Sequence, residues 1–238
     1  MGSAREIKMR KFEKSVEHEI IPGMYIVARL DGRSFNKLTN DIMKYDTPFD
    51  ERFRDAMVEV AKKLFDAGFD IRYAYTESDE ISVLLDYKTD DFGRRVEKLA
   101  SSLAGYSSAA ITLILGLNTP VTFDCRIIPL PNLNLLTEYF LWRQEDANRN
   151  ALNAWCFWTL VNEGWEKHAA YKVMEDQDKQ FKNDALFARG INYNDVPSWQ
   201  KRGVGIYRKD ALIVDYELPM KDKYKTYVRE IVDGCYSG

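Results

Sequence analysis

Residues 24–30, MYIVARL, are apolar at almost every position, as in a strand buried on both faces, and Asp31-Gly32 stop the run. Between 48 and 67 the period changes. Phe53, Met57, Ala61 and Leu64/Phe65 recur at helical spacing, and Gly68 supplies a C-terminal stop. Two runs rich in β-formers follow at 71–76 and 81–86, joined by a short acidic turn and so predicted to pair as a hairpin. A helical pattern then covers 90–115, with Gly105 as an expected interruption, and 120–128 reads as another strand. Strand, helix, strand, strand, helix, strand is the order of the split βαβ, ferredoxin-like arrangement: an antiparallel sheet with helices on one face.

From 133 the pattern turns mostly helical. Residues 135–162 carry Tyr139, Phe140, Trp142, Trp155, Phe157 and Trp158, and shorter helical stretches lie at 165–174 and 178–189. Two β-like runs about Arg208-Lys209-Asp210 close the pattern as a predicted hairpin within 203–218. The fold class expected is α+β: a polymerase-type palm over 1–132, with a mostly helical C-terminal lobe over 133–238 packed on it. No Pro/Ser linker separates the two parts. Polymerase palms and nucleotide cyclases share this architecture, so the fold alone leaves the chemistry open.

Composition narrows the choice. At 238 residues and 45% hydrophobic, the chain has ample material for a core. No apolar run reaches the ~20 residues of a membrane span, and the start lacks the apolar centre of a signal peptide. Cys125, Cys156 and Cys235 are odd in number and not metal-spaced, which points to idle thiols in a reducing cytoplasm. The two histidines, His18 and His168, sit in no metal-spaced or triad-like setting. A formal charge of −3 argues against general nucleic-acid binding, although net charge is blind to local patches.

The acidic turn of YTESDEISVLL, residues 75–85, is either a solvated hairpin tip or part of a cation site. A partner decides between them. The first strand ends at Asp31 and the hairpin turns at Ser78-Asp79-Glu80. Neighbouring strands lie ~5 Å apart, which brings Asp31 and Asp79 within reach of one ion. Two carboxylates so placed repel unless a cation separates them, and Mg²⁺ suits hard oxygen donors that also meet substrate phosphates. Asp31-Gly32-Arg33-Ser34-Phe35-Asn36 leaves the strand through a glycine, a turn whose N–H groups can cradle phosphates. Arg29, Arg33, Arg94, Arg95 and Lys98 are candidate countercharges, although any one of them taken alone reads first as a solvated surface cation.

RLDGRSF (29–35) and ESDEISVLL (77–85) resemble signature motifs of the tRNA-His guanylyltransferase family and its "like" branch. FDCRIIPLP (123–131), WRQEDANRNALN (142–153), KNDALF (182–187) and GINYNDVPSWQKRG (190–203) extend the resemblance, in order, across most of the chain. The resemblance implies 3′-to-5′ nucleotide addition to the 5′ end of tRNA, with two Mg²⁺ per site and ATP and GTP as substrates. It makes Asp31 and Asp79 the metal-binding catalytic carboxylates, Gly32 a carbonyl ligand and Glu80 an accessory acid. Arg29, Asp31 through Asn36, Ser78, Asp79, Arg94, Arg95 and Lys98 become nucleotide contacts. Arg143, Asn148, Asn150, Lys182 and Asn183 become tRNA contacts, and a homotetramer is implied.

Two departures from the family pattern matter. Asn148 stands where members selective for tRNA-His carry a histidine, which favours the branch that repairs 5′-truncated tRNAs. Thr47 replaces the lysine many members carry before the proline at Pro48, leaving Lys44 slightly upstream. Trp155, Phe157 and Trp158 are expected in the core. A palm-type nucleotide cyclase and a non-catalytic tRNA-binding module are the alternatives.

Overall fold

The computed structural model describes residues 3–234, so Cys235 lies outside the described residues. In chain order the elements are α1 (Ala4–Glu13), β1 (Tyr25–Gly32), the short α2 (Phe35–Lys37) running into a π-turn, α3 (Glu51–Phe65), β2 (Ile71–Glu77) and β3 (Glu80–Leu85). Then come α4 (Val96–Ile114), β4 (Phe123–Leu130), α5 (Leu133–Asn162), α6 (Lys167–Met174), α7 (Lys179–Phe187) and α8 (Ser198–Arg202). The strands β5 (Val204–Arg208) and β6 (Leu212–Asp215) and the helix α9 (Asp222–Gly234) complete the order. Every ladder in the six-stranded sheet is antiparallel, in the order β4-β1-β3-β2-β5-β6. Its first four members are the predicted palm.

Strand alternation sorts the side chains onto two faces. Ile26, Ala28, Leu30, Ile81, Val83 and Leu85 point to the face covered by α3 and α4. Val27, Tyr73, Tyr75 and Leu84 point to the other, covered by the first turns of α5 and by α9. The palm's own helices therefore lie on one face, as its pattern predicts, and the second half of the chain supplies the cover for the opposite one. Tyr73 and Tyr224 share a hydroxyl hydrogen bond of 2.9 Å across that second interface.

α3 starts where Asp50 caps it, its carboxylate accepting from the Arg52 amide at 2.8 Å. Arg52 also clamps that carboxyl and holds it down to about 2. α4 runs unbroken through Gly105, contrary to the expected interruption. A Cβ there would meet open space, and one exposed glycine costs a helix only ~1 kcal/mol. β1 runs one pair of residues further than expected, because Asp31 and Gly32 stay in register with Asp124 and Phe123 of β4.

The C-terminal hairpin does not stay in its lobe. β5 pairs with β2 from Tyr73↔Tyr207 to Thr76↔Val204, so the second half extends the palm's sheet. Gly203 makes the junction possible. It has φ +71°, and a Cβ would lie 2.6 Å from the Tyr75 ring and 2.7 Å from the Thr76 carbonyl.

Candidate active site

Antiparallel register lines up one acid from each of four strands at one end of the sheet: Asp124, Asp31, Glu80 and Glu77 are successive cross-strand partners. The β2–β3 turn between Glu77 and Glu80 is only Ser78-Asp79, with Ser78 at φ +50°. The Gly32 amide donates to the Asp79 carbonyl at 3.0 Å, tying the end of β1 to that turn. Gly32 is needed for close packing, since a Cβ would sit 2.6 Å from the Phe35 ring.

The four acids are not equivalent. Glu80, 8% exposed, is clamped by guanidinium groups: Arg143 Nε and Nη2 reach its two oxygens at 2.7 and 3.0 Å, and Arg29 Nη2 lies at 2.5 Å. Arg143, 4% exposed, also bonds Asp146 at 2.9 Å, while Arg29 also reaches Asp31 at 3.1 Å. Among the described residues Asp79 has no such partner. Burial, reinforced by the Asp31 charge, pushes its carboxyl up to about 6 against hydrogen bonds at the turn. Burial beside Glu80 and Asp79 pushes Glu77 up to about 8.

Beyond the strand ends opens a cleft of about 370 Å³. One end holds Asp31, Glu77, Asp79 and Glu80; the walls include Tyr45, Phe49, Phe53, Trp158 and Trp199. Phe49 meets Trp199 edge-on at 6.1 Å, and the Arg54 guanidinium lies 4.6 Å from the Trp199 ring. A cleft with hard oxygen donors and flat π-faces can take both a metal-bound phosphate and a base.

The tRNAHis guanylyltransferase family profile matches residues 6–131, and the Thg1 C terminal domain profile matches residues 134–230. The chain belongs to the tRNA(His) guanylyltransferase family. It is a nucleotidyltransferase of that family, 34% identical to the tRNA(His) guanylyltransferase of Debaryomyces hansenii over 88% of this chain and 82% of that one. The probable tRNA(His) guanylyltransferase of Dictyostelium discoideum is 32% identical over 94% of this chain and 91% of its own. Among solved structures, a bacterial tRNA(His) guanylyltransferase-like protein in complex with ATP superposes with a TM-score of 0.83 at 27% identity, covering 96% of this chain and 99% of that one. The enzyme from Saccharomyces cerevisiae gives 0.77 at 30% identity, covering 87% and 93%.

Against this family frame, the structure sorts the sequence-predicted residues. Arg29, Asp31, Asn36, Ser78, Asp79, Glu80, Arg143 and Asn150 all line the cleft. Arg33 and Ser34 are exposed just past β1. Glu80 is not a free accessory acid, because Arg143 and Arg29 occupy its oxygens. Arg143 is correspondingly too buried and too engaged to be an RNA contact.

Phe35 is core, its ring tilted against that of Phe123 at 5.0 Å, and it does not line the cleft. Arg94 is buried and donates to the carbonyls of Ile20, Ile21, Met24 and Thr89. Met24 adjoins the far end of β1, ~20 Å from Asp31 at strand rise, so Arg94 is a structural post. Arg95 pairs with Glu17 at 2.5 Å in the same region, and Lys98 is exposed one helical turn on. Asn148 and Asn183 line a second cavity, and Lys182 is half-buried on α7, where its carbonyl accepts from the Cys156 thiol.

Sequence reasoning missed the cleft's aromatic walls. Trp158, expected in the core, lines the cleft with the Lys167 ammonium 5.6 Å from its ring. Tyr45 and Phe49 come from the loop before α3 and Trp199 from α8, so no single period links them. Lys44, exposed at φ +51°, lies beside Tyr45 and does not itself line the cleft.

Among the described residues no three His, Cys, Asp or Glu side chains form a metal-holding group. The set offered by the cleft is the two aspartates Asp31 and Asp79. It nonetheless fits Mg²⁺, since the uncompensated Asp79 beside Asp31 is relieved by a divalent charge and Mg²⁺ draws its other ligands from water and phosphate.

A pH signature follows. Asp79 and Glu77 bind protons more tightly folded than unfolded, so stability is fullest at low pH and falls as pH rises towards about 8. Asp50, held down to about 2, changes nothing in that window. In chelator, the melting temperature is expected to drop between pH 5.5 and 8.5 by several degrees, from ~1–3 kcal/mol. Millimolar Mg²⁺ restores more at pH 8 than at pH 6, because it competes with protons. A flat melting profile with no pH-dependent Mg²⁺ effect would mean that these carboxylates are solvated.

Proposed function

We propose that this member of the family adds nucleotides in the 3′-to-5′ direction to the 5′ end of tRNA, repairing truncated ends, with Mg²⁺, ATP and GTP. The observation that carries it is the pairing of Asp31 with the uncompensated Asp79 at the mouth of an aromatic-walled cleft. Related proteins bound to ATP and to GTP support nucleotides as substrates. The match over 134–230 leaves the cyclase alternative without support.

In this reading Asp31, Asp79 and the Gly32 carbonyl would hold two Mg²⁺ ions, which would supply activation of the attacking oxygen and charge neutralisation on the leaving one. In the first stage a 5′-phosphate oxygen of the RNA bonds to the α-phosphorus of ATP. The α–β bridging bond breaks and pyrophosphate leaves. In the second, the 3′-hydroxyl oxygen of an incoming nucleotide bonds to the activated 5′ phosphorus, its proton passes to solvent, and AMP departs. Both are in-line displacements, so one site serves both. Asn36 and Ser78 line the nucleotide, Arg33 and Ser34 meet its phosphates at the mouth, and Tyr45, Trp158 and Trp199 offer the base a stacking surface. Burial pushes the Glu80 carboxyl up, Arg143 and Arg29 oppose that shift, and their ion pairs to Glu80 hold β3 and α5 together.

The palm over 1–132 and the lobe over 133–238 act together, with Asn150, Lys182 and Asn183 on the RNA side. Among the described residues no helix is long and apolar enough to cross a membrane, and Cys125 and Cys156 are free thiols. We place the enzyme in the cytoplasm as a homotetramer. α1 buries none of its residues and exposes Ile7, Met9 and Phe12, an arrangement that suits contact with another copy.

The test supplies tRNA lacking its first nucleotide, with the four nucleoside triphosphates and Mg²⁺. Full-length product is expected, and non-histidine tRNAs should be extended within a few-fold of tRNA-His. Binding without extension would leave only an RNA-binding module. Strong preference for tRNA-His would overturn the inference from Asn148.

A further inference from the structure

One acid of the strand-end row takes no part in holding metal. Glu77 closes β2 and lines the active cleft beside Asn150, Ala154, Trp158, Trp199 and Val204. Strand alternation puts it on the same face of the sheet as Tyr73 and Tyr75, the face that α5 covers. Its backbone is fixed from both sides. It pairs with Glu80 across the hairpin, and its neighbour Thr76 pairs with Val204 of β5.

Among the described residues the half-buried Glu77 carboxyl makes no hydrogen bond and no ion pair. Arg143 pulls on it, but that guanidinium donates to Glu80 at 2.7 and 3.0 Å and to Asp146 at 2.9 Å. Arg29 is likewise taken by Glu80 and Asp31. Glu80, Asp79 and Asp146 act on Glu77 with like charge. A carboxyl withdrawn from water with no donor beside it is costly, and a guest that brings a donor relieves the cost.

The chemistry of a nucleotide says which part of it meets Glu77. Phosphate oxygens are anionic acceptors, so the carboxyl repels them. The donors are the ribose hydroxyls and the N–H groups of the base. Those N–H groups differ from base to base, whereas the hydroxyls are common to all four nucleotides and lie closer to the α-phosphate. Glu77 stands two strand spacings, ~10 Å, from Asp31 and two residues from Asp79, so a phosphate held between the aspartates brings a ribose towards it. We infer that Glu77 accepts hydrogen bonds from the ribose hydroxyls of the bound nucleotide and so selects ribonucleotides over their deoxy analogues. A carboxyl keeps an acceptor oxygen with or without a proton, so the contact does not depend on its charge. The inference rests on the nucleotide substrate proposed above.

Equilibrium binding of ATP, 2′-deoxyATP and 3′-deoxyATP in the presence of Mg²⁺ tests this without any RNA. Wild type should bind ATP about tenfold more tightly than at least one deoxy analogue, because the analogue leaves the carboxyl unpaired. In Glu77→Ala that ratio should fall to about one. Glu77→Gln, which keeps one acceptor oxygen, should restore part of it. The ratio carries the test and not the affinity itself, since losing a negative charge also eases triphosphate binding. In chelator both variants should melt no lower than wild type, as neither loses a partner within the protein.

Equal binding of the three nucleotides by wild type overturns the inference with no variant needed, and so does a ribose preference that survives in folded Glu77→Ala. A variant that changes its preference among ATP, GTP, CTP and UTP while keeping the wild-type ribose ratio would assign the carboxyl to a base edge, overturning the ribose contact. Extension of truncated tRNA by the same preparations separates the two levels. Extension without a ribose preference leaves the proposed function and loses this contact. A ribose preference that depends on Glu77, without extension, leaves the contact and loses the proposed function. Wild type that binds no nucleotide loses both.

Discussion

Asp79→Asn is expected to give a folded protein with less than about a thousandth of wild-type extension of truncated tRNA. The two halves of that result have different causes. Asparagine keeps the size of the side chain and the turn geometry, but it cannot supply the anionic oxygen a divalent cation needs. It also removes a charge that burial and Asp31 already make unfavourable, so in chelator at pH 7 to 8 the variant should melt slightly above wild type. Mg²⁺ should no longer shift that melting temperature in a pH-dependent way. Calorimetry with and without Mg²⁺, beside a single-turnover assay, reads both halves. Retained activity would remove Asp79 from the catalytic pair, whereas a collapsed fold would mean that the carboxylate is structural.

Arg143→Met should act in the opposite direction, lowering stability by ~3–5 kcal/mol. Methionine matches the stem of the side chain but leaves Glu80 with Arg29 alone and deprives Asp146 of one partner. Removing one member of a buried pair costs more than the pair contributes, because the survivor stays buried and charged. The double variant Arg143→Met, Glu80→Gln should recover a large part of the loss, and a denaturant series measures both. A single variant as stable as wild type would mean that Glu80 is already served by Arg29. Since Glu80 immediately follows Asp79, activity should fall with stability in the single variant.

The strand and helix order was legible because buried strands and amphipathic helices impose periods that survive without any alignment. The closeness of Asp31 and Asp79 was legible for a different reason: one lies near the end of a strand and the other in the tight turn of the neighbouring hairpin, and strand pairing brings the two together. Arg94 shows where such reading stops. A cation beside a phosphate and a cation bracing four backbone carbonyls look identical in sequence, and only burial separates them. Arg143 misled in the same way. Trp158 was lost because Trp155 and Trp158 lie on one long helix, and nothing local says which of its faces meets the second half of the chain and which meets the cleft. The aromatic walls come from segments over a hundred residues apart, brought together by a sheet that the C-terminal hairpin extends.

That extension also sets an order in time. Val27, Tyr73, Tyr75 and Leu84 belong to the first half of the chain, but the side chains that cover them run from Leu136 to Val232. The last of these lies about a hundred residues past the end of β4, a lag of roughly 5–20 s at ordinary rates of synthesis. Through that interval one face of the nascent sheet is wet and the flank of β2 has no β5 beside it. A ribosome stalled between β4 and α9 would therefore hold a chain with its first four strands made and their apolar back open to chaperones, and the first half of the sheet becomes a finished object only when α9 arrives.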